Sequence, residues 1–291
     1  MTLLDSPPLT RAPEAARASR ALAWVLVLLA SGMVACSLLG PVGFGAMAYR
    51  TSSTSLNQLR GSDAATLFLI APLTLAAAAL AWRRHPASPL LATGLGAYAL
   101  YTYAQVVIGQ EYLRLPGNVE RFFPLLLAVF VLGGAAVVLG QRLTPAVLPA
   151  LSPRVGRTLG VVLLCVAAFV LVGLHLPTML TAWRDPTSMP QYAPSPTPFW
   201  MVKLMDLGIV VPVAVVTGIG MLRGADWAPR VMYPLLTAYA CLATSVAAMA
   251  LVMVLRGDPD ASVALLCGFA AFAVLFASLT AVAYRPLLRA S

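Results

Sequence analysis

Long apolar stretches alternate with short polar connections along almost the whole chain. A helix that crosses a bilayer needs about 20 apolar residues. Eight stretches reach that length, at about 21–46, 64–82, 88–109, 122–141, 158–182, 199–222, 231–255 and 262–284. The longest connections are 50–63 and 184–198, too short for a sizeable domain on either side. The pattern predicts an all-α polytopic transmembrane helix bundle of about eight spans. The tail 1–20 is polar and rich in Pro and Ala, and the stretch after it is longer than a signal-peptide core. It reads as a retained first helix, although the small residues between Ala30 and Ala35 would also suit processing.

Composition agrees with a membrane protein. Hydrophobic residues make up 60% of the 291 positions and charged residues only 10%, against about 25% in soluble domains. The net charge of +9 comes from arginines scattered over tails and connections, with no basic helix face or aromatic-interleaved patch, so no nucleic-acid partner is expected. Their placement bears on orientation instead. With the N-terminus inside, the cytoplasmic segments carry Arg11, Arg17, Arg20, Arg83, Arg84, Arg142, Arg154, Arg157, Arg223, Arg230, Arg285 and Arg289. The opposite side carries Arg50, Arg60, Arg114, Arg121, Arg184 and Arg256, with most of the acids. The positive-inside rule then places both termini in the cytoplasm.

An internal repeat sharpens this organisation. Residues 67–83 align without a gap on 207–223, so that Pro72 meets Pro212 and Arg83 meets Arg223. The preceding spans end in Ala48-Tyr49-Arg50 and Ala182-Trp183-Arg184, and the following ones open with Pro-Leu-Leu at Pro89 and Pro234. A 4+4 parallel duplication follows, because each half would hold an even number of spans. The expected units are a cytoplasmic tail 1–20, a first half 21–141, a cytoplasmic linker 142–157 and a second half 158–285. Low-complexity Ala, Leu and Val composition can produce such matches by itself.

Candidate chemistry is concentrated in the sixth stretch, which alone places charged residues well inside a span: Lys203, the sole lysine, and Asp206. A charge near the bilayer centre costs about 2.5–3.5 kcal/mol on insertion scales, so such residues mark functional sites by default. One reading is a local i,i+3 pair with the lysine snorkelling outward. The other is a buried carboxylate that binds a cation, a proton or a ligand amine. Tyr98, Tyr101 and Gln105 share a face of the third span, and His175 lies in the fifth ahead of Pro177; both would reach the depth of Asp206. The tyrosines also suit an interfacial belt or interhelical hydrogen bonds, and His175 a packing contact to the backbone freed by Pro177. Asp63 reads as the N-cap of the second span, and Glu111, Glu120, Asp258 and Asp260 as solvated loop charges. Kinks are expected at Pro72, Pro177 and Pro212.

Other classes find no support. No Gly-x-x-x-x-Gly-Lys, His-Glu-x-x-His or Gly-x-Ser-x-Gly is present, and two histidines far apart, His85 and His175, do not make a zinc or bis-histidine haem site. No metal or cofactor is expected. Cys36, Cys165, Cys241 and Cys267 all lie inside apolar stretches, so no disulfide is expected either.

The segments 61–67 and 90–104, with its Tyr98, Tyr101 and Tyr103, and Asp206 with its proline six residues on, resemble an uncharacterised family of bacterial polytopic membrane proteins. The likeness spans most of the second to seventh spans and implies a multi-pass protein of the bacterial inner membrane, with no activity attached. A fainter likeness, over barely one helix pair, is to the emopamil-binding and sigma-2 receptor group, where an acid six residues before a proline binds an amine or sterol. Three functions follow as expectations. The first is binding, transport or sensing of a small molecule or ion in an outer cavity formed by Asp206, Lys203, Gln105, Tyr101, Tyr98 and His175. The second is a non-catalytic subunit held by membrane-protein partners, and the third an intramembrane lipid or sterol-type isomerase. Membrane lipid is a partner in all three.

Overall fold

The computed structural model describes residues 11–149, 151–189 and 192–289 and is helical throughout, with no strand among the described residues. Eight helices are long and apolar enough to cross a membrane: α1 (Pro13–Leu39), α2 (Ser53–Trp82), α3 (Ser88–Ile108), α4 (Val119–Leu143), α5 (Pro153–Arg184), α6 (Pro196–Arg223), α7 (Ala228–Leu255) and α8 (Val263–Arg289). The chain is a multi-pass integral membrane protein, and its apolar helix faces contact membrane lipid.

The largest departure from the hydropathy pattern is α2. It starts at Ser53, capped by Ser52, whose hydroxyl accepts from the Ser55 amide at 3.3 Å. The polar segment 53–65 is helical because its polar side chains meet polar partners within the bundle. Ser62 and Ser245 hydroxyls lie 2.9 Å apart, and Asn57 Nδ2 donates to Asp258 Oδ2 at 2.8 Å. Hydropathy marks segments that face lipid, and this one faces α7. Gly61 permits the approach: a Cβ there would stand 2.4 Å from the Ala248 carbonyl oxygen and Met249 amide nitrogen. Asp63 is therefore no N-cap. It is buried in mid-helix, and the Tyr49 hydroxyl donates to its Oδ2 at 3.4 Å. Burial, then the neighbouring Asp63 carboxyl, pushes the Tyr49 phenol well above its ordinary pKa.

α7 likewise begins earlier than expected, so that Pro234 is interior to it, while Pro89 sits in the first turn of α3. The three other mid-span prolines act through the turn before them. Widened π-helical turns occupy Thr66–Ile70 ahead of Pro72, Phe169–His175 ahead of Pro177 and Asp206–Val210 ahead of Pro212. Proline cannot donate to the carbonyl four residues back, and the wide turn accommodates that loss.

Two apolar cores result. In the first, Leu22, Leu26 and Leu29 of α1 pack with Leu126 and Val129 of α4, Leu95 and Ala99 of α3, and Ala71, Ala77 and Ala78 of α2. In the second, Leu159 and Leu163 of α5 pack with Ala214 and Met221 of α6, Leu236 of α7, and Phe276 and Ala283 of α8. α7 joins the two by packing on α2 and α3 as well as α8. The connections 40–52, 109–118, 185–195 and 256–262 gather at one end. There Arg50 pairs with Glu120 at 2.5 Å, the Ser52 amide donates to Ser195 Oγ at 3.0 Å, and the Thr197 amide to Glu111 Oε1 at 2.7 Å. Glu111 and Asp258 are buried acceptors here rather than solvated loop charges, because backbone and side-chain donors of neighbouring connections converge on them.

Candidate functional site

Between the two cores lies a cavity of about 460 Å³, with walls from α2, α3, α5, α6, α7 and α8. Three of its side chains form one hydrogen-bonded unit. The Tyr101 hydroxyl on α3 donates to Asp206 Oδ1, and His175 Nε2 on α5 lies 2.7 Å from Asp206 Oδ2. With His175 in the tautomer that donates from Nε2, the carboxylate accepts from both neighbours, and Nδ1 is left for another partner. The His175 and Asp206 side chains retain only 5% and 15% of their exposure.

Local structure explains the meeting. His175 is the last residue of the π-helical turn in α5, and Asp206 the first of the one in α6. Each wide turn shifts the face its helix presents, which brings two residues 31 apart in sequence into contact on neighbouring helices. Behind them Tyr239 of α7 donates to the Val210 carbonyl at 2.5 Å, holding the carbonyl edge of the α6 turn. The Nε2 of His175 goes to Asp206 rather than to the backbone before Pro177, and in the same turn the Thr178 hydroxyl donates to the carbonyls of Leu174 and His175 at 3.3 and 2.9 Å.

Of the residues expected from the sequence, Tyr101, Gln105, His175 and Asp206 line this cavity. Gln105 contributes to the wall beside Tyr101, and its Nε2 is buried and makes no well-formed hydrogen bond. Tyr98 lies behind the wall, fully buried, with its hydroxyl 3.0 Å from Thr66 and 3.2 Å from Ser245. Lys203 also stands apart. Its ammonium sits 3.3 Å from the centroid of the Phe199 ring, and no ion pair links it to Asp206 among the described residues. The ammonium is met by the aromatic face rather than by a close ion pair with Asp206.

Sequence reasoning missed several lining residues: Tyr239, the serines Ser62 and Ser245, and the aromatic wall of Phe169, Phe269, Phe272 and Phe276. Tyr239 alone carried a signal, as a phenol in the middle of an apolar span; the phenylalanines look like any lipid-facing side chain until the helices are placed. Among the charged side chains of the wall are two carboxylates, Asp206 and Asp260, and no lysine or arginine, in a chain of net charge +9. Such a wall favours a cation or a hydrogen-bonding neutral ligand over an anion. The four cysteines are free thiols, Cys36 and Cys241 buried, Cys165 and Cys267 exposed. No group of three or more His, Cys, Asp or Glu suited to a metal occurs among the described residues.

Comparison with protein-family models, with curated proteins and with solved structures gives no match. The fold defines a class, an eight-helix integral membrane protein, and the particular function has to be argued from the cavity.

Proposed function

We propose that this protein binds a small molecule or cation in the Asp206 cavity, and transports or senses it across the cell membrane. One observation carries the reading: a cavity of about 460 Å³, within the size range of ligand sites, surrounds a Tyr101–Asp206–His175 unit and has no lysine or arginine among the described residues of its wall. The arginine distribution supports placing both termini in the cytoplasm, which makes the cavity extracytoplasmic. Duplication of a four-helix unit agrees with the matching π-helical turns ahead of Pro72 and Pro212, and with the packing of the first parts of α2 on α7 and of α6 on α3.

The test is a thermal-shift screen of organic cations, zwitterions and neutral amphiphiles on the purified protein in nanodiscs. Compounds that raise the melting temperature of the wild type should leave Asp206→Asn unshifted, with the variant eluting as a folded monodisperse species. If every stabilising compound acts equally on both proteins, Asp206 is not the centre of a binding site.

An assembly role is the second reading, favoured by α8, whose apolar stretch is only 6% buried. Co-purification of a stoichiometric membrane partner from mild detergent would establish it.

A further inference from the structure

The two halves differ at one seam. In the first half α1 and α4 pack along each other, Leu22, Leu26 and Leu29 against Leu126 and Val129. Their counterparts under the repeat are α5 and α8. α8 packs along α7, and no comparable packing joins it to α5 among the described residues. A tilted ring pair, Phe169 of α5 and Phe272 of α8, with centroids 5.1 Å apart, spans the seam. Both rings also line the Asp206 cavity, together with Val170, Phe269 and Phe276. The seam is thus at once a wall of the cavity and a stretch of surface turned to lipid. From there the lining changes from aromatic and aliphatic groups to the carboxylate, imidazole and amide of Asp206, His175 and Gln105.

We propose that the α5–α8 seam is a lateral portal, through which a single-chain amphiphile with a cationic head enters the cavity directly from the bilayer. The proposal rests on the binding function argued above and names its ligand class. The head is assigned by charge, since among the described residues of the wall there are two carboxylates and no lysine or arginine. The tail is assigned by the rings: an alkyl chain between Phe169 and Phe272 passes from lipid into an equally apolar wall, so its transfer meets no desolvation cost. A water-soluble cation gains nothing from that route. Steric closure by two phenylalanine side chains also needs only rotamer changes to open, not movement of a packed helix pair.

The probes are dodecylamine bearing a mid-chain diazirine, plain dodecylamine and butylamine, applied to the full-length protein in phosphatidylcholine nanodiscs. Photolabelling followed by peptide mass spectrometry should mark residues 166–174 of α5 and 265–276 of α8. An excess of plain dodecylamine should reduce that labelling at least fivefold, butylamine should leave it unchanged, and labelling on the lipid face of α4 should not saturate. Asp206→Asn should remove the saturable part. Non-saturable labelling at the seam equal to that on α4 would overturn the portal, as would saturable labelling confined to cavity residues away from α5 and α8. Protection of the seam by a second copy, seen as a dimer joined through Cys267 on α8, would overturn it too. If butylamine stabilises the wild type as strongly as dodecylamine and loses its effect in Asp206→Asn, the binding site stands and the portal falls. If neither amine shifts either protein, the assigned ligand class falls, and only a blank result in the broader screen removes the binding function as well.

Discussion

Gln105 offers the most direct residue-scale test of whether the cavity is meant to be filled. Its Nε2 is buried beside Tyr101 without a well-formed hydrogen bond, a state that a stability-optimised bundle would avoid. Gln105→Met keeps the length of the side chain and removes the unmet donor. It is expected to stabilise the ligand-free protein by about 1 kcal/mol, measured by thermal or denaturant melting in detergent, while weakening ligand-induced stabilisation. A lower ligand-free stability would mean that the amide has a structural partner. Lys203 poses the opposite case. Its ammonium rests on the Phe199 ring and lies off the cavity wall, so Lys203→Met should cost about 0.5–2 kcal/mol of stability and leave the ligand response intact. Loss of that response, matching Asp206→Asn, would return the lysine to the site. A lysine and an aspartate three apart on one helix are legible as a pair in sequence, but that the lysine turns back onto Phe199, one turn before it, is decided by packing.

For the elements, the decisive feature is the π-helical turn. Asp206 opens the wide turn Asp206–Val210, and the extra residue sets the part of α6 before it about 100° out of phase with a continuous α-helix. Deletion of Gly208, inside the wide turn, should restore the α-helical register. The shortened protein is expected to fold, by gel filtration and circular dichroism, and to lose both the Tyr101–Asp206 contact and ligand-induced stabilisation. Retained ligand stabilisation would show that the turn does not aim the carboxylate. Prolines at 72, 177 and 212 pointed to disturbed helices at these places, because a missing amide is visible in sequence. The form of the disturbance was not, since a kink and a wide turn relieve the same missing bond and neighbouring helices select between them. The early start of α2 was hidden for a related reason: Ser53 to Ala65 is polar on average, and its partners on α7 and in the connection after it make a buried helix of it.

Across the whole molecule, the open question of function is tied to orientation. A green-fluorescent reporter fused after residue 291 should fluoresce, and alkaline phosphatase inserted in the connection 256–262 should be active. The reverse pattern would turn the cavity toward the cytoplasm and change the compartment from which, or toward which, a ligand moves. The same charge asymmetry that predicts orientation also accounts for the character of the site. Most arginines lie in connections and helix ends, and the described wall of the cavity carries two carboxylates and no lysine or arginine.

Span number, approximate span limits and the helical class could be read directly from the chain, because a bilayer imposes one length and one hydropathy on anything that crosses it. Asp206 stood out for the same reason: a charge in an apolar stretch is costly wherever the helix ends up. Tertiary structure alone decided which residues meet that charge. His175 and Tyr101 reach Asp206, Tyr98 turns to Thr66 and Ser245, Lys203 turns to Phe199, and Asp63 enters the bundle. Those outcomes depend on the relative rotation and depth of packed helices. Hydropathy carries no information about either, since rotating a span about its axis leaves its length and composition unchanged.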